Sequence, residues 1–354
     1  MLRSWVLPLF VMAAALLLGA APSKAVEPPR IVAVGDLHGD HDAWVAIAQA
    51  AGVMDRKGKW AGGRTTLVQL GDVVDRGPDS LKIIRDLMRL QRDAPRRGGK
   101  VFVLVGNHEA MNMTNDLRYV HPGEYAAFAD RNSERRRGAV YEANRKAIEA
   151  AYRARFPTMA PEVIRAEWMK VTPPGKVEHQ FAWSPEGEIG SWILRNPAVL
   201  KVGDTLFVHG GISAAYVTVS IDDMNRRVAE ALRARNESPN SIINDPYGPL
   251  WYRGLITRQG DDDATKTPAT TAARPLTIDQ EIDLVLRSFG VKRIVVGHTP
   301  SLSGILSASS GHLWRADSGN SRAYGGTLSY LEIIGDRVTA HSVTRPAGGA
   351  WGEP

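Results

Sequence analysis

The amino-acid sequence predicts an α/β fold, and three observations support that class. Short apolar runs typical of buried strands alternate with segments whose apolar residues recur at helical spacing. The predicted strands are followed directly by glycine together with a carboxylate, amide or imidazole side chain. The 354 residues are 44% hydrophobic and 23% charged, which is the composition of a globular protein with a buried core.

The first half of this fold is predicted to alternate strand and helix. Residues 31–34 are uniformly apolar, which indicates a strand buried on both faces, and residues 43–50 have the spacing of a helix. The run at 65–70 predicts a second strand. Residues 80–90 predict the next helix because their large apolar side chains fall on one helical face, and residues 101–105 predict a third strand.

Two further strands are predicted towards the C-terminus, after a long interruption. Residues 206–208 and 294–296 are short apolar runs, and residues 278–289 have helical spacing. Residues 110–200 are mostly helical in pattern and longer than a normal connection, so we expect a helical insertion that forms a cap. Within it, residues 131–155 carry eight Lys and Arg against three Glu, which we interpret as an amphipathic helix with a solvated basic face.

Residues 1–25 have the pattern of a secretory signal peptide. Arg3 precedes an apolar run at 5–21, and Ser23 and Ala25 supply small side chains at the −3 and −1 positions of a cleavage site. Cleavage there would direct the mature protein to the periplasm or the outside of the cell. An uncleaved membrane anchor is the alternative, because the run is close to the minimum length for spanning a bilayer.

The rest of the chain is predicted to be one domain, residues 26–345, with a flexible glycine-rich tail at 346–354. Residues 259–275 contain three consecutive Asp and many Thr and Ala, and we interpret them as a flexible surface loop. No later apolar run is long enough to cross a bilayer, so no stable membrane insertion is expected after cleavage.

The absence of cysteine excludes a disulfide framework, a cysteine zinc site and a thiolate nucleophile. Polar catalysis must therefore depend on histidine, carboxylate, hydroxyl, cation or metal. The net charge of +6 is a poor guide to the ligand, because its excess lies in residues 1–25 and 131–155. The basic segment at 131–155 has few interleaved aromatic residues and no nucleic-acid-binding motif, so no nucleic-acid partner is expected.

Five short motifs, one after each predicted strand, carry the side chains suited to metal or phosphate binding. The carboxyl ends of strands in α/β sheets are where ligands bind, and glycine allows the backbone to approach a metal or phosphate closely. Mixed carboxylate, amide and imidazole ligands suit Mn, Fe or Zn better than Mg or Ca. The motifs are GDLHGD at 35–40, GDVVDRG at 71–77, GNHE at 106–109, HGG at 209–211 and GHTP at 297–300.

Taken together, these motifs resemble those of the PPP-type (calcineurin-like) metallophosphoesterases, and most closely the Shewanella-like phosphatase branch. The resemblance covers nearly all of residues 30–340 and implies a two-sheet β-sandwich core flanked by helices, with a helical insertion. The segments that favour this branch are NHEAMN at 107–112, DLRY at 116–119, WYRG at 251–254, DSG at 317–319 and SRAYGG at 321–326.

The resemblance also implies a site with two divalent metal ions, Mn being favoured over Fe or Zn. One ion would be held by Asp36, His38 and His298, and the other by Asn107 and His209, with Asp72 bridging the two. A hydroxide bound to both metals would attack the phosphorus in line.

Catalytic and phosphate-binding roles are implied for four further residues. His108 would act as the general acid, oriented by Asp75. Arg76 and Arg253 would bind the substrate phosphate together with Asn107, because a guanidinium group matches phosphate geometry.

The expected function is a phosphomonoesterase acting on a phosphorylated protein or a small phosphoester, with tyrosine and serine/threonine specificity both open. A hydrolase of dinucleoside tetraphosphate or another nucleotide is the first alternative, because such enzymes share the metal-binding motifs. A non-catalytic binding protein on the same fold is the second. The intact pair of His108 and Asp75 argues against it, because a binding protein needs no proton donor.

Overall fold

The computed structural model describes residues 28–258 and 276–347. The predicted signal peptide, the predicted loop at 259–275 and nearly all of the predicted tail lie outside these residues. Among the residues described, no helix combines the length and apolar character needed to cross a bilayer.

The strands form two five-stranded mixed sheets. In the first sheet the order is β10-β9-β1-β2-β3, and in the second it is β4-β5-β6-β8-β7. The strands are β1 (Arg30–Val34), β2 (Thr66–Gln69), β3 (Lys100–Val103), β4 (Val199–Val202), β5 (Thr205–Val208), β6 (Arg293–Val296), β7 (Leu306–Ala308), β8 (Leu313–Arg315), β9 (Ser329–Ile334) and β10 (Arg337–Ser342). The parallel pairs are β1 with β2, β2 with β3, β5 with β6, and β6 with β8.

Helices connect the strands and cover the sheets. The described residues form ten α-helices, four of which have an N-cap side chain that accepts from a first-turn N–H, as Asp40 accepts from the Ala43 N–H. The ten helices are α1 (His41–Ala50), α2 (Ser80–Asp93), α3 (Asn107–Met113), α4 (Pro122–Phe128), α5 (Ser133–Arg155), α6 (Pro161–Val171), α7 (Lys176–Ala182), α8 (Glu188–Ile193), α9 (Ile221–Arg233) and α10 (Ile278–Phe289).

The two sheets pack face to face through alternating strand residues. Ala33, Val68, Phe207 and Val295 are all fully buried in one apolar cluster to which both sheets contribute. The residues that alternate with them point to the opposite faces, where they join a larger cluster with helix side chains. The predicted α/β class, and the two-sheet core flanked by helices, are therefore confirmed.

The strands and helices predicted from sequence are all present, with bounds that differ by a few residues. The third strand ends at Val103, before its predicted end. The Leu104 N–H still donates to Gln69 of β2, but the Val105 N–H donates to the Pro197 carbonyl oxygen, which lies outside the sheet. Five strands, β4 and β7 to β10, were not predicted. For three of these strands the reason is visible: β7 and β8 have only three residues each, and β10 has no fully buried residue. Neither length nor apolar alternation marks these three in the sequence.

The stretch between β3 and β4 is helical as predicted and comprises α3 to α8. The basic segment forms α5, a 23-residue helix that packs on α6 and α7. The α4 helix packs on both α7 and α2, which joins the insertion to the main domain. A role of residues 110–200 as a cap remains a prediction.

Candidate active site

The six predicted metal ligands lie together, because each follows a strand that ends at the same edge of its sheet. Asp36 and His38 follow β1, Asp72 follows β2, and the remaining three follow β3, β5 and β6. Every one of them is at most 5% exposed. A buried group of carboxylate, amide and imidazole side chains whose oxygen and nitrogen atoms face one another is typical of a metal centre.

Asp72 is the centre of this group. Its Oδ2 lies 3.8 Å from His38 Nε2, and its Oδ1 lies 3.3 Å from His209 Nε2. Two sets of potential ligand atoms, each within 4.8 Å of one another, share this carboxylate: one with His38 and His108, the other with His209 and His298. A carboxylate common to two sets is suited to bridging two cations.

His38 is oriented by a backbone carbonyl. Its Nδ1 lies 3.0 Å from the Val74 carbonyl oxygen, so Nδ1 is the protonated nitrogen and donates a hydrogen bond to that oxygen. The other nitrogen, Nε2, is then a free acceptor, 3.9 Å from Asp36 Oδ2. An imidazole held in this way presents its lone pair to a metal.

The contacts of His209 show whether the site is suited to a cation. Its Nδ1 donates to the Leu70 carbonyl oxygen at 2.8 Å, and Nε2 then faces Asn107 Oδ1 at 3.0 Å as well as Asp72. Two of these groups are oxygen acceptors, so a positive charge is needed between the three: either the proton of His209, whose pKa burial would lower but Asp72 raises, or a bound cation. The donor set therefore fits a bound metal ion.

His298 occupies a different position from the one implied by the sequence resemblance. The resemblance assigned it to the same metal as Asp36 and His38, whereas the structure groups its ring with His209 and Asp72. The His298 and His209 ring centroids are 5.0 Å apart. Its Nε2 is buried and has no hydrogen-bond partner among the described residues, as expected for a ligand atom. Only its backbone N–H contacts Asp36, at 3.2 Å.

The backbone around these ligands is strained. Five non-glycine residues of the site have positive φ, a conformation that costs free energy and persists where the surrounding structure enforces it. They are His38 (41°), Asp72 (53°), Asp75 (70°), Arg76 (69°) and His298 (63°). A second constraint comes from Gly297, where a Cβ would lie 2.6 Å from Asp36 Oδ1. Glycine is thus required there for close approach.

Negative charge is in excess in this buried region. Burial, with repulsion from Asp317 and Asp72, raises the pKa of Asp36 well above its ordinary value. Burial and the charge of Asp72 likewise raise the pKa of Glu109 to about 7. Burial alone would also raise the pKa of Asp72, but the nearby imidazoles of His209 and His108 hold it well below its usual value. Bound cations would relieve this repulsion.

Glu109 has a structural role that sequence reasoning missed, although it belongs to the predicted GNHE motif. Its carboxylate accepts from the backbone N–H groups of Asp72, Val73 and Gly106, each at 2.8 Å. It therefore ties the loop after β2 to the start of α3. The Asp72 carboxylate in turn accepts from the His108 N–H at 3.0 Å.

His108 and Asp75 form the predicted acid pair. His108 Nδ1 lies 2.5 Å from Asp75 Oδ2, and its Nε2 faces the metal-ligand group, 3.9 Å from Asp72 Oδ2. Asn112 Nδ2 donates to the other oxygen of Asp75 at 2.9 Å. Burial would lower the pKa of His108, but Asp72 and Asp75 outweigh it and raise the pKa. This favours the protonated form that a general acid requires.

The two predicted phosphate-binding arginines lie beside the group. The Arg76 guanidinium is stacked on the Tyr119 ring, with its Cζ 4.3 Å from the ring centroid, and lies 5.6 Å from the centroid of Tyr324. Its Nε is buried without a hydrogen-bond partner in the described part of the chain. Arg253 is exposed, and its Nη2 donates to the His298 carbonyl oxygen at 3.2 Å.

Tyr119 and Tyr324 are site residues to which the sequence assigned no role. Tyr324 lies 5.1 Å from the His38 ring and Tyr119 lies 5.2 Å from the His108 ring, measured between centroids. The DLRY and SRAYGG segments that carry them were recognised only as features of the branch. The structure adds that both tyrosines border the predicted phosphate position.

Comparison with known proteins agrees with this site. The family model of the calcineurin-like phosphoesterases matches residues 29–302. The chain belongs to that family. The family is dimetal-dependent, and the two groups of potential ligand atoms around Asp72 are candidates for its metal positions.

The resemblance to the Shewanella-like branch is also confirmed. Shewanella-like protein phosphatase 2 of Arabidopsis thaliana is 31% identical over 326 residues, covering 88% of this chain and 76% of that protein. An uncharacterised protein of Schizosaccharomyces pombe is 30% identical, with coverage of 89% and 80%. Shewanella-like protein phosphatase 1 of Plasmodium berghei is 26% identical, with coverage of 88% and 73%.

Solved structures confirm the fold. The cold-active protein-tyrosine phosphatase of a psychrophilic Shewanella species superposes with a TM-score of 0.61 at 24% identity, covering 90% of this chain and 81% of that one. A Saccharomyces cerevisiae serine/threonine phosphatase superposes with a TM-score of 0.54 at 14% identity, with coverage of 91% and 82%. The family, the named relatives and the site together identify the chain as a metal-dependent phosphoprotein phosphatase. The nucleotide-hydrolase and binding-protein alternatives are not favoured.

Proposed function

We propose that this phosphatase binds two metal ions around Asp72 and uses His108 as the general acid for the leaving group. The observation that carries the proposal is the contact of His108 Nδ1 with Asp75 Oδ2 at 2.5 Å. This contact leaves the other ring nitrogen of His108, Nε2, facing the ligand group. An imidazole oriented by a buried carboxylate can deliver a proton to an oxygen that leaves from this side.

The ligands divide into two sets that share Asp72. Asp36 and His38 complete the first set; Asn107, His209 and His298 complete the second. When bound, two divalent cations would lower the pKa of a water molecule and neutralise charge on the phosphate oxygens. Mn is the preferred ion, with Fe or Zn as alternatives, because the donor set mixes oxygen and nitrogen.

Arg76 and Arg253 would bind the phosphate, with Asn107 as a further contact. Arg76 is held by its stacking on Tyr119 and by its backbone N–H, which donates to the Tyr119 carbonyl oxygen at 2.9 Å. A guanidinium fixed in this way loses little side-chain entropy when it binds an anion.

The substrate class is a phosphorylated protein. The name of the Shewanella structure suggests phosphotyrosine, and that of the Saccharomyces structure suggests phosphoserine or phosphothreonine. Tyr119 and Tyr324 support the first, because two aromatic rings beside the phosphate position can pack against an aromatic leaving group.

The test is a metal-reconstituted activity panel. Metal-free protein would be loaded with Mn, Fe or Zn and assayed on a phosphotyrosine peptide, a phosphoserine peptide and a dinucleoside polyphosphate. We expect turnover of a phosphopeptide and little turnover of the dinucleotide. Preferential cleavage of the dinucleotide would overturn the substrate class, and no phosphoester turnover with any of the three metals would overturn the activity.

We also propose that the mature protein is periplasmic or secreted. The support is the signal-peptide pattern of residues 1–25, with small residues at Ser23 and Ala25. Mass spectrometry of the protein from its native host would show a mature N-terminus at about residue 26 if cleavage occurs as proposed. An intact N-terminus in the cytoplasmic fraction would contradict it.

A further inference from the structure

Glu124 lies on α4, within the helical insertion, yet it is only 2% exposed and contacts the loop that follows β2. Its Oε1 accepts a hydrogen bond from the Asp75 backbone N–H at 3.0 Å. The Ser80 hydroxyl donates to the same oxygen. A buried carboxyl group from the insertion thus accepts a hydrogen bond directly from Asp75, the residue that orients His108.

Asp75 needs this support because its backbone is strained. It is a non-glycine residue at φ 70°, a conformation that persists only where neighbouring groups fix it. Its carboxylate is held by Asn112 and His108, and its N–H is held by Glu124. Loss of the bond to Glu124 would leave a buried N–H without its partner and free the backbone to relax.

The surroundings of Glu124 indicate a neutral carboxyl group. Burial, with repulsion from Asp75, raises the pKa of Glu124 well above its ordinary value. Its Oε2 lies 3.9 Å from Nε2 of the buried His179. The rings that enclose His179 are those of Tyr125, Phe128 and Trp183. A glutamine side chain has the shape of a neutral glutamic acid and keeps its accepting oxygen, so Gln is the conservative substitution here.

We propose that Glu124 is a positioning residue for His108, acting through Asp75, so that the helical insertion supports proton transfer to the leaving group. The inference rests on the proposed function, in which His108 is the general acid.

The test compares two aryl phosphates that differ in their need for an acid. The leaving group of p-nitrophenyl phosphate departs without a proton, whereas that of phenyl phosphate benefits from one. A residue that positions the acid should therefore matter more for phenyl phosphate. A residue that merely holds the fold together would affect both substrates alike.

We expect Glu124→Leu to lower kcat on phenyl phosphate about tenfold or more, and on p-nitrophenyl phosphate by less than about threefold, with KM little changed. Glu124→Gln should restore kcat on both substrates to near the wild-type value. Glu124→Asp keeps the carboxyl group but shortens the side chain, and it should show a smaller loss with the same substrate dependence. If the leucine variant does not fold, the two substrates are compared with the aspartate variant instead.

Glu178→Leu is the matched control. Glu178 is a partly buried glutamate of the same insertion that pairs with Arg136 and does not contact Asp75. Its replacement should lower the unfolding temperature without changing the ratio of the two substrate activities. A double-mutant cycle completes the test: in a His108→Ala background, Glu124→Leu should have little further effect on kcat.

Equal losses on both substrates would overturn the proposal, as would a full additional loss in the His108→Ala background. A glutamine variant as impaired as the leucine variant would overturn the role of the accepting oxygen. These outcomes are distinct from failure of the proposed function, in which the wild-type protein with Mn, Fe or Zn would turn over neither substrate.

Discussion

His108 and Asp75 are joined by a buried contact of 2.5 Å between Nδ1 and Oδ2, and Asp75 is otherwise held by groups outside the metal-ligand set. The orientation of the His108 ring therefore depends on side-chain and backbone contacts of Asp75 that no metal ligand makes, although the His108 backbone N–H donates to the Asp72 carboxylate. Substitutions can separate proton transfer from metal binding, and several predictions depend on that separation.

We expect His108→Ala to lower kcat on phenyl phosphate by on the order of a hundredfold or more, and less on p-nitrophenyl phosphate. The reason is that the acid is lost while the ligands remain. Elemental analysis should still find two metals per chain. Because His108 Nε2 lies 3.9 Å from Asp72 Oδ2, loss of one metal would instead identify His108 as a ligand. Near-normal turnover would remove it from the mechanism.

Asp72→Asn should weaken the binding of both metals. Asp72 is the only carboxylate shared by the two ligand groups of the described residues, and the amide removes the negative charge between them. Metal content after dialysis, measured by elemental analysis, checks this. Retention of both metals at wild-type levels would mean that Asp72 does not bridge.

Gly106→Ala should disturb the site by steric overlap. An added Cβ would overlap Asp72 Oδ1 and lie 2.8 Å from Glu109 Oε2. We expect metal affinity to fall about tenfold or more, as when a support of a metal ligand is lost. The control is Gly138→Ala on α5, where a Cβ meets no atom within 4 Å and should not weaken metal binding. Equal metal affinity in the two variants would contradict the prediction.

Arg76→Lys should lower kcat/KM about tenfold or more, because a lysine cannot bind phosphate in the bidentate manner of a guanidinium. The matched control is Arg118→Lys: Arg118 is exposed, pairs with Asp116 and lies 6.0 Å from the same Tyr119 ring centroid. Steady-state kinetics should show little change in the control. If both variants keep wild-type kcat/KM, Arg76 does not bind the phosphate.

Phe207→Ala should destabilise the protein by about 3–5 kcal/mol, the usual cost of truncating a buried aromatic side chain. Phe207 is fully buried between the two sheets. Leu306→Ala on β7 provides the control, since Leu306 is 46% exposed and should change stability little. Denaturant unfolding would measure both. A cost for Phe207→Ala no larger than that of the control would argue against the sandwich core.

The sequence predicts that metal-binding side chains meet at one edge, because Asp36, Asp72 and His209 directly follow apolar strands and parallel strands bring such positions together. The assignment of these residues as ligands comes from the family resemblance. The sequence cannot predict contacts that depend on how loops fold back. The stacking of Tyr119 on Arg76 and the bond between Glu124 and the Asp75 N–H both join segments that no short-range pattern relates.

The position of His298 shows the same limit. The GHTP motif identified the residue as a ligand candidate, but its side chain is grouped with His209 because β6 lies beside β5 in the second sheet. The pairing of these two strands, which the sequence does not reveal, determines which neighbours the ring meets.

The measurement that tests the account most directly is a metal titration of the metal-free protein, with metal content and phenyl phosphate turnover followed in the same samples. We expect binding to saturate at two Mn ions per chain, with activity appearing as the second site fills. We expect the His108→Ala variant to bind the same two ions while its kcat stays on the order of a hundredfold lower or more. Full activity at one ion per chain, or two bound ions with no turnover of any phosphoester, would contradict the account.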